Sequence, residues 1–86
     1  MRVGMDKHTF PIYRKLANER SFYRIDSATA FVEVQRLGSR WVLHRVEARI
    51  YPEKARIHEL LVMADPGVLA SDAPEFDRWL ALVERS

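Results

Sequence analysis

The stretch from Ala30 to Ile50, AFVEVQRLGSRWVLHRVEARI, constrains the fold more than any other part of the sequence. It contains two long runs of residues with β propensity, separated by Gly38 and Ser39, and this combination predicts a β-hairpin. An antiparallel sheet built on such a hairpin buries at least one face, so the rest of the chain has to supply the cover.

The polar pattern predicts the register of this hairpin. A two-residue loop at Gly38-Ser39 would place polar and apolar residues on both faces. A three-residue loop, Gly38-Ser39-Arg40, or a bulge gives one nearly apolar face, so we expect that register. The apolar face then carries Ala30, Val32, Val34, Val42, Val46, Ala48 and Ile50, with His44 inside it and Arg36 near the turn. The opposite face carries Phe31, Glu33, Trp41, Arg45 and Glu47.

A shorter hairpin is predicted before the central one. Thr9 to Leu16 is typical of an edge strand because Pro11 cannot donate a ladder hydrogen bond, and Ser21 to Ile25 returns after a tight turn at Asn18-Glu19. The predicted pairs are Ile12 with Ile25, Tyr13 with Arg24 and Lys15 with Phe22, which places Ile12, Leu16, Tyr23 and Ile25 on the core face. Residues 1–8 show no periodicity, and we expect a frayed end there.

Two helical patterns follow the hairpins. In the segment 53–64 the apolar residues have helical spacing, which favours a helix, although residues 56–63 also fit a buried strand. Near the C-terminus, Asp72 and Glu75 resemble a capping box and precede a helical stripe of Phe76, Trp79, Leu80 and Val83. We therefore predict one α+β domain spanning 1–86. It is an antiparallel β-meander of four or more strands whose apolar face is covered by the C-terminal helix.

Composition excludes several classes of function. The 86-residue chain has no cysteine, which removes disulfides, cysteine-ligated zinc and thiol nucleophiles. No apolar run approaches the roughly 20 residues that cross a bilayer, and no signal-peptide pattern is present, so we expect a cytoplasmic protein with no membrane partner. Net charge is +2, divided unevenly into +6 for residues 1–58 and −4 for residues 59–86.

No catalytic, metal or cofactor pattern emerges from the titratable residues. His58-Glu59 begins like a zinc-protease motif, but Val62 stands where the second histidine ligand is required. His44 on an apolar face is typical of a hydrogen-bonded structural histidine. We therefore expect no catalytic residue, metal or cofactor. An enzyme with a small-molecule site near His44 is the least supported hypothesis.

One predicted surface combines aromatic rings with cations: Tyr13, Lys15, Phe22, Arg24, Trp41, Arg45 and Arg49. We interpret the chain as a small binding domain that contacts another protein, or a second copy of itself, through the exposed sheet surface or an edge strand. Single-stranded nucleic acid is the alternative partner, because such surfaces stack bases and neutralise phosphates. Cation–π packing with nothing bound explains the same residues.

Overall fold

The protein folds as a five-stranded antiparallel sheet with two helices, and the α+β class predicted from the sequence is confirmed. The computed structural model describes residues 9–85, so the segment 1–8, predicted to be frayed, lies outside the described residues. The strands follow one another in the sheet as β4-β3-β2-β1-β5. The elements are β1 (Ile12–Leu16), β2 (Ser21–Ser27), β3 (Ala30–Leu37), β4 (Arg40–Glu47), α1 (Tyr51–Val62), β5 (Val68–Ala70) and α2 (Ala73–Arg85).

Each face of the sheet is covered by one helix, so the molecule has three layers. Ile57, Leu60 and Leu61 of α1 pack on one face, and Phe76 of α2 is buried on the other. The α1 layer also buries Tyr23, Ile25, Phe31, Ala48 and Val68, and the α2 layer also buries Phe22, Val32 and Val34. Because β-strand side chains alternate between faces, each central strand contributes to both layers.

The predicted register of the central hairpin is wrong. β3 and β4 are joined by a two-residue loop at Gly38-Ser39, and Val32 lies opposite Arg45 while Phe31 lies opposite Val46. The prediction assumed that only one face had to be apolar. Because both faces are covered, a register that distributes apolar residues over both sides is the stable one.

β3 shares its faces with both neighbours differently from the prediction, because Val32 lies opposite Arg24 of β2 and opposite Arg45 of β4. Val32 and Val34 lie in the α2 layer with Phe22 and Trp41, whereas Phe31 lies in the α1 layer with Ile25. The C-terminal helix therefore covers the face that carries Tyr13, Phe22 and Trp41, which is the face predicted to be open.

The first hairpin follows its predicted register, with Ile12 opposite Ile25, Tyr13 opposite Arg24 and Lys15 opposite Phe22. The prediction that its first strand lies at an edge is wrong, because β5 pairs with the outer side of β1. Pro11 precedes β1 and so removes no hydrogen bond from the ladder. The two edges of the sheet are β4, with eight residues, and β5, with three.

Both helices begin and end for identifiable reasons. The segment that fitted either a helix or a strand forms α1, which has Pro52 in its first turn and ends at Met63 in a left-handed conformation with φ of 51°. The predicted cap of α2 is confirmed, since the Glu75 amide donates to Asp72 Oδ1 at 2.9 Å. Neither helix of the described residues combines the length and the apolar character needed to cross a membrane.

Candidate interaction surface

The aromatic part of the predicted binding surface lies beneath α2. The indole rings of Trp41 and Trp79 stack with centroids 4.8 Å apart, and Trp79 also stacks on Phe22 at 5.4 Å. Tyr13 contacts Phe76 with ring centroids 5.7 Å apart. Phe22 has no exposed surface at all. These rings therefore act as packing partners of α2, and no ligand can reach Phe22 while the helix is in place.

The cations predicted on the same face are largely neutralised by acidic groups. Lys15 Nζ lies 2.9 Å from Glu75 and 3.2 Å from Glu19, and these hydrogen bonds raise the pKa of Lys15. The pKa of the Glu75 carboxyl is lowered, first by the hydrogen bond from the Ser71 hydroxyl and then by Lys15. Lys15 thus ties β1 to the first turn of α2.

Arg24 is the second cation held on this face. Its Nε is 2.8 Å from Asp26 Oδ1, and its guanidinium lies 5.6 Å from the centre of the Phe76 ring. Arg45 remains exposed on β4, and the Arg49 side chain, 79% exposed, follows the end of that strand with Nη2 2.9 Å from Glu47. The structure therefore separates the predicted set into a group packed under α2 and two arginines near the outer edge of the sheet.

The opposite face carries a network of polar groups beside α1. Ser21, 2% exposed, donates its hydroxyl to Glu33 at 2.7 Å, and Arg56 donates to the Tyr23 hydroxyl at 2.9 Å. Burial raises the pKa of the Tyr23 phenol, with the nearby Glu33 carboxylate acting in the same direction. These hydrogen bonds satisfy the polar groups that α1 buries.

His44 belongs to this α1 face and not to the layer under the C-terminal helix. Its Nε2 lies 3.0 Å from Gln35 Oε1, which gives it the hydrogen-bonded surroundings of a structural histidine. Three open clefts in the described part of the chain have volumes of about 370 to 380 Å³, and none of the three is lined by His44. Within residues 9–85, no group of three or more His, Asp or Glu side chains is placed to hold a metal ion.

Within residues 9–85, no strand pairs with the outer edge of β4, so the backbone groups on that edge have no ladder partner there. The register pairs Glu33 with His44 and Leu37 with Arg40, and the Ala48 amide donates to the Thr29 carbonyl, so even-numbered residues of β4 point their backbone groups towards β3. The odd-numbered residues then direct their N–H and C=O groups away from the sheet. They are Trp41, Leu43, Arg45 and Glu47.

Trp41 and Arg45 of the predicted surface lie on β4, which is an edge strand, whereas β1, the strand predicted to be the edge, is paired on both sides. The signal that could have found β4 is the sequence that follows it. A helix at 51–62 carries the chain away from the hairpin, so no later strand lies beside β4. That signal was obscured because the same segment also fitted a strand in the meander.

Comparisons with protein-family models, with curated proteins and with solved structures found no match to this chain. The geometry of the sheet edge and of the charged groups around it therefore supplies the evidence for function.

Proposed function

We propose that the protein is a non-enzymatic interaction domain that binds a second copy of itself by pairing β4 with β4 of the partner. The observation that carries this proposal is the eight-residue edge strand, whose register with β3 runs without a bulge. An edge of this length with no bulge is a template for another strand, and isolated domains normally interrupt or cover such edges.

Several features of β4 support a symmetric antiparallel pairing. The strand contains no proline and no lysine, the residues that most often block an edge. A two-fold axis close to Leu43 would place Arg45 of each copy beside Trp41 of the other, so that no like charges lie directly opposite each other. The other edge, β5, has only three residues and offers a much shorter ladder.

The same edge could accept an extended segment of a different protein, which is the second form of a protein-interaction role. The geometry supports the other two hypotheses less. A single-stranded nucleic acid would need rings that are open to stack on bases, and Phe22 and its neighbours pack against α2. An enzyme site near His44 would need a cavity beside it, and none of the three clefts described above is lined by that residue.

Sedimentation velocity over a wide concentration range tests the dimer, with two variants at one exposed position. Arg45→Pro removes an outward N–H that the isolated subunit does not use, whereas Arg45→Thr removes the same side chain and keeps that N–H. We expect the wild-type protein and Arg45→Thr to dimerise and Arg45→Pro to stay monomeric with a native circular dichroism spectrum. A wild-type chain that is monomeric at every concentration would contradict the homodimer.

Amide hydrogen exchange tests the geometry of the pairing. In a monomer, amides of β4 should alternate, with Val42, His44 and Val46 protected by β3 and the outward amides of Leu43 and Arg45 unprotected. In a β4-paired dimer the outward amides should gain protection as protein concentration rises. If the protein dimerises while these amides continue to exchange rapidly, the interface lies elsewhere.

A further inference from the structure

Two arginines lie side by side at the end of the sheet where the β1–β2 and β3–β4 turns meet. The Arg36 amide donates to the Arg20 carbonyl at 2.8 Å, which continues the β2–β3 ladder by one pair beyond Ser21 and Gln35. Directly opposite residues of neighbouring strands share a face, and both arginines line the same cleft at this end of the sheet. Like charges placed directly opposite each other destabilise a sheet.

No carboxylate of the described residues compensates this pair. The ion pairs within 4.0 Å in residues 9–85 involve Lys15, Arg24 and Arg49, and none of them includes Arg20 or Arg36. The nearest acidic residue in sequence, Glu19, is 3.2 Å from Lys15. The repulsion between Arg20 and Arg36 is therefore left for solvent or a bound anion to relieve.

The arginines line an open cleft of about 380 Å³ together with Asn18 and Gly38. Arg36 is held in place, because its Nε donates to the Gly38 carbonyl at 3.3 Å and its guanidinium lies 5.9 Å from the centre of the Trp41 ring. Arg20 and Arg36 are both exposed residues. Asn18 accepts the Arg20 amide with its Oδ1, which leaves its side-chain NH₂ group as a further donor.

We propose that this cleft binds a phosphate group of a small anionic ligand. Guanidinium groups match phosphate oxygens in a planar, forked geometry, and two of them approaching from neighbouring strands suit a dianion with several acceptor oxygens. A volume of about 380 Å³ lies at the lower end of the range for small-molecule sites, so the ligand is small. The cleft lies at the turn end of the sheet, whereas the proposed strand pairing is centred near Leu43 of β4, and Arg36 is linked to that strand through the Trp41 ring.

The test is an NMR titration with inorganic phosphate and inorganic pyrophosphate, with acetate in a parallel titration at matched ionic strength. We expect saturable shifts confined to the amides around Asn18, Arg20, Arg36 and Gly38, and at least tenfold weaker binding of acetate. Arg20→Gln and Arg36→Gln should each weaken binding at least tenfold. Arg49→Gln, which removes the same charge at the opposite end of β4, should leave binding unchanged.

Three results would overturn the proposal. Non-saturable shifts spread over all arginines, or an equal loss in Arg49→Gln, would show general charge screening. Acetate binding as tight as phosphate would show that the cleft does not select phosphate. Arg20→Gln is the decisive variant, because within residues 9–85 Arg20 has no ring contact whose loss could disturb folding. For Arg36→Gln, intrinsic tryptophan fluorescence checks that the Trp41–Trp79 stack is intact. Repeating the titration on monomeric Arg45→Pro separates this site from dimerisation.

Discussion

Arg14 provides the sharpest test of how the sheet holds α1. From β1 its Nε and Nη2 donate to the carbonyls of Leu60 and Leu61, both at 3.0 Å, at the C-terminal end of the helix. α1 has no basic residue in its own last turn, so Arg14 supplies the positive charge that a helix C-terminus favours. Burial lowers the pKa of Arg14, because removing its positive charge from water has a desolvation cost. The hydrogen bonds to α1 have to exceed that cost.

The expected effect of Arg14→Met follows from these contacts. Methionine retains much of the apolar stem. It removes the arginine hydrogen bonds from the Leu60 and Leu61 carbonyls. Arg14 also donates from Nη1 to the Tyr13 carbonyl at 3.0 Å within its own strand. The two hydrogen bonds to α1 contribute roughly 3 to 6 kcal/mol, and relief of the burial cost offsets part of this. We expect the free energy of unfolding to fall by about 2 to 4 kcal/mol, a large share of the roughly 4 to 13 kcal/mol expected for 86 residues.

Urea unfolding followed by circular dichroism measures this change, and amide exchange in the last turn of α1 locates it. Arg14→Lys keeps the positive charge but not the forked guanidinium geometry, so its loss of stability should be intermediate. Arg40→Met is the matched control, because Arg40 is exposed and should change stability by no more than about 0.5 kcal/mol. If Arg14→Met is as stable as this control and exchange in α1 is unchanged, the capping role of Arg14 is refuted.

Two further predictions concern charge and backbone conformation. Because the pKa of Glu75 is lowered in the folded state, the unfolded chain binds more protons in acid, and stability should be lost as pH falls below the ordinary value of 4.5. Urea midpoints measured from neutral pH downwards should therefore fall less steeply for Glu75→Gln than for the wild-type protein. Gly38 has φ of 65° with open space where a Cβ would lie, so Gly38→Val should cost about 1 to 2 kcal/mol through backbone strain alone. Gly38→Asn should cost less in the same thermal unfolding assay, and an equal cost would contradict this explanation.

The sequence was sufficient for features that depend on neighbouring residues. The β1–β2 register follows from one turn at Asn18-Glu19, and the start of α2 follows from the spacing of Asp72 and Glu75. The first turn of α1 was harder, because Ile50 at its N-cap offers no side-chain hydrogen bond. Local sequence signals therefore predict α2, whereas for α1 they fit both a helix and a strand.

Features that depend on what covers the sheet could not be derived in the same way. The search for one apolar face is valid for a sheet covered on one side, and it rejected the observed register because polar residues then lie on both faces. In β3 the adjacent residues Phe31 and Val32 are 6% and 4% exposed, although they point to opposite faces. Consecutive apolar residues in a strand indicate burial on both sides, and this pair was the available signal for a three-layer structure.

The same reasoning explains why the face predicted to be open is covered by α2, and Phe22 provides the direct test. If the aromatic face were open, as the sequence suggested, Phe22→Ala would leave stability nearly unchanged. Phe22 is fully buried between the sheet and the Trp79 ring of α2. The substitution should therefore lower the free energy of unfolding by about 3 to 5 kcal/mol. Leu37→Ala is the control, since Leu37 is 52% exposed at the tip of β3. This substitution should lower the free energy of unfolding much less. Equal stabilities of the two variants in urea would mean that α2 leaves this face, and the ring surface would again be available for a ligand.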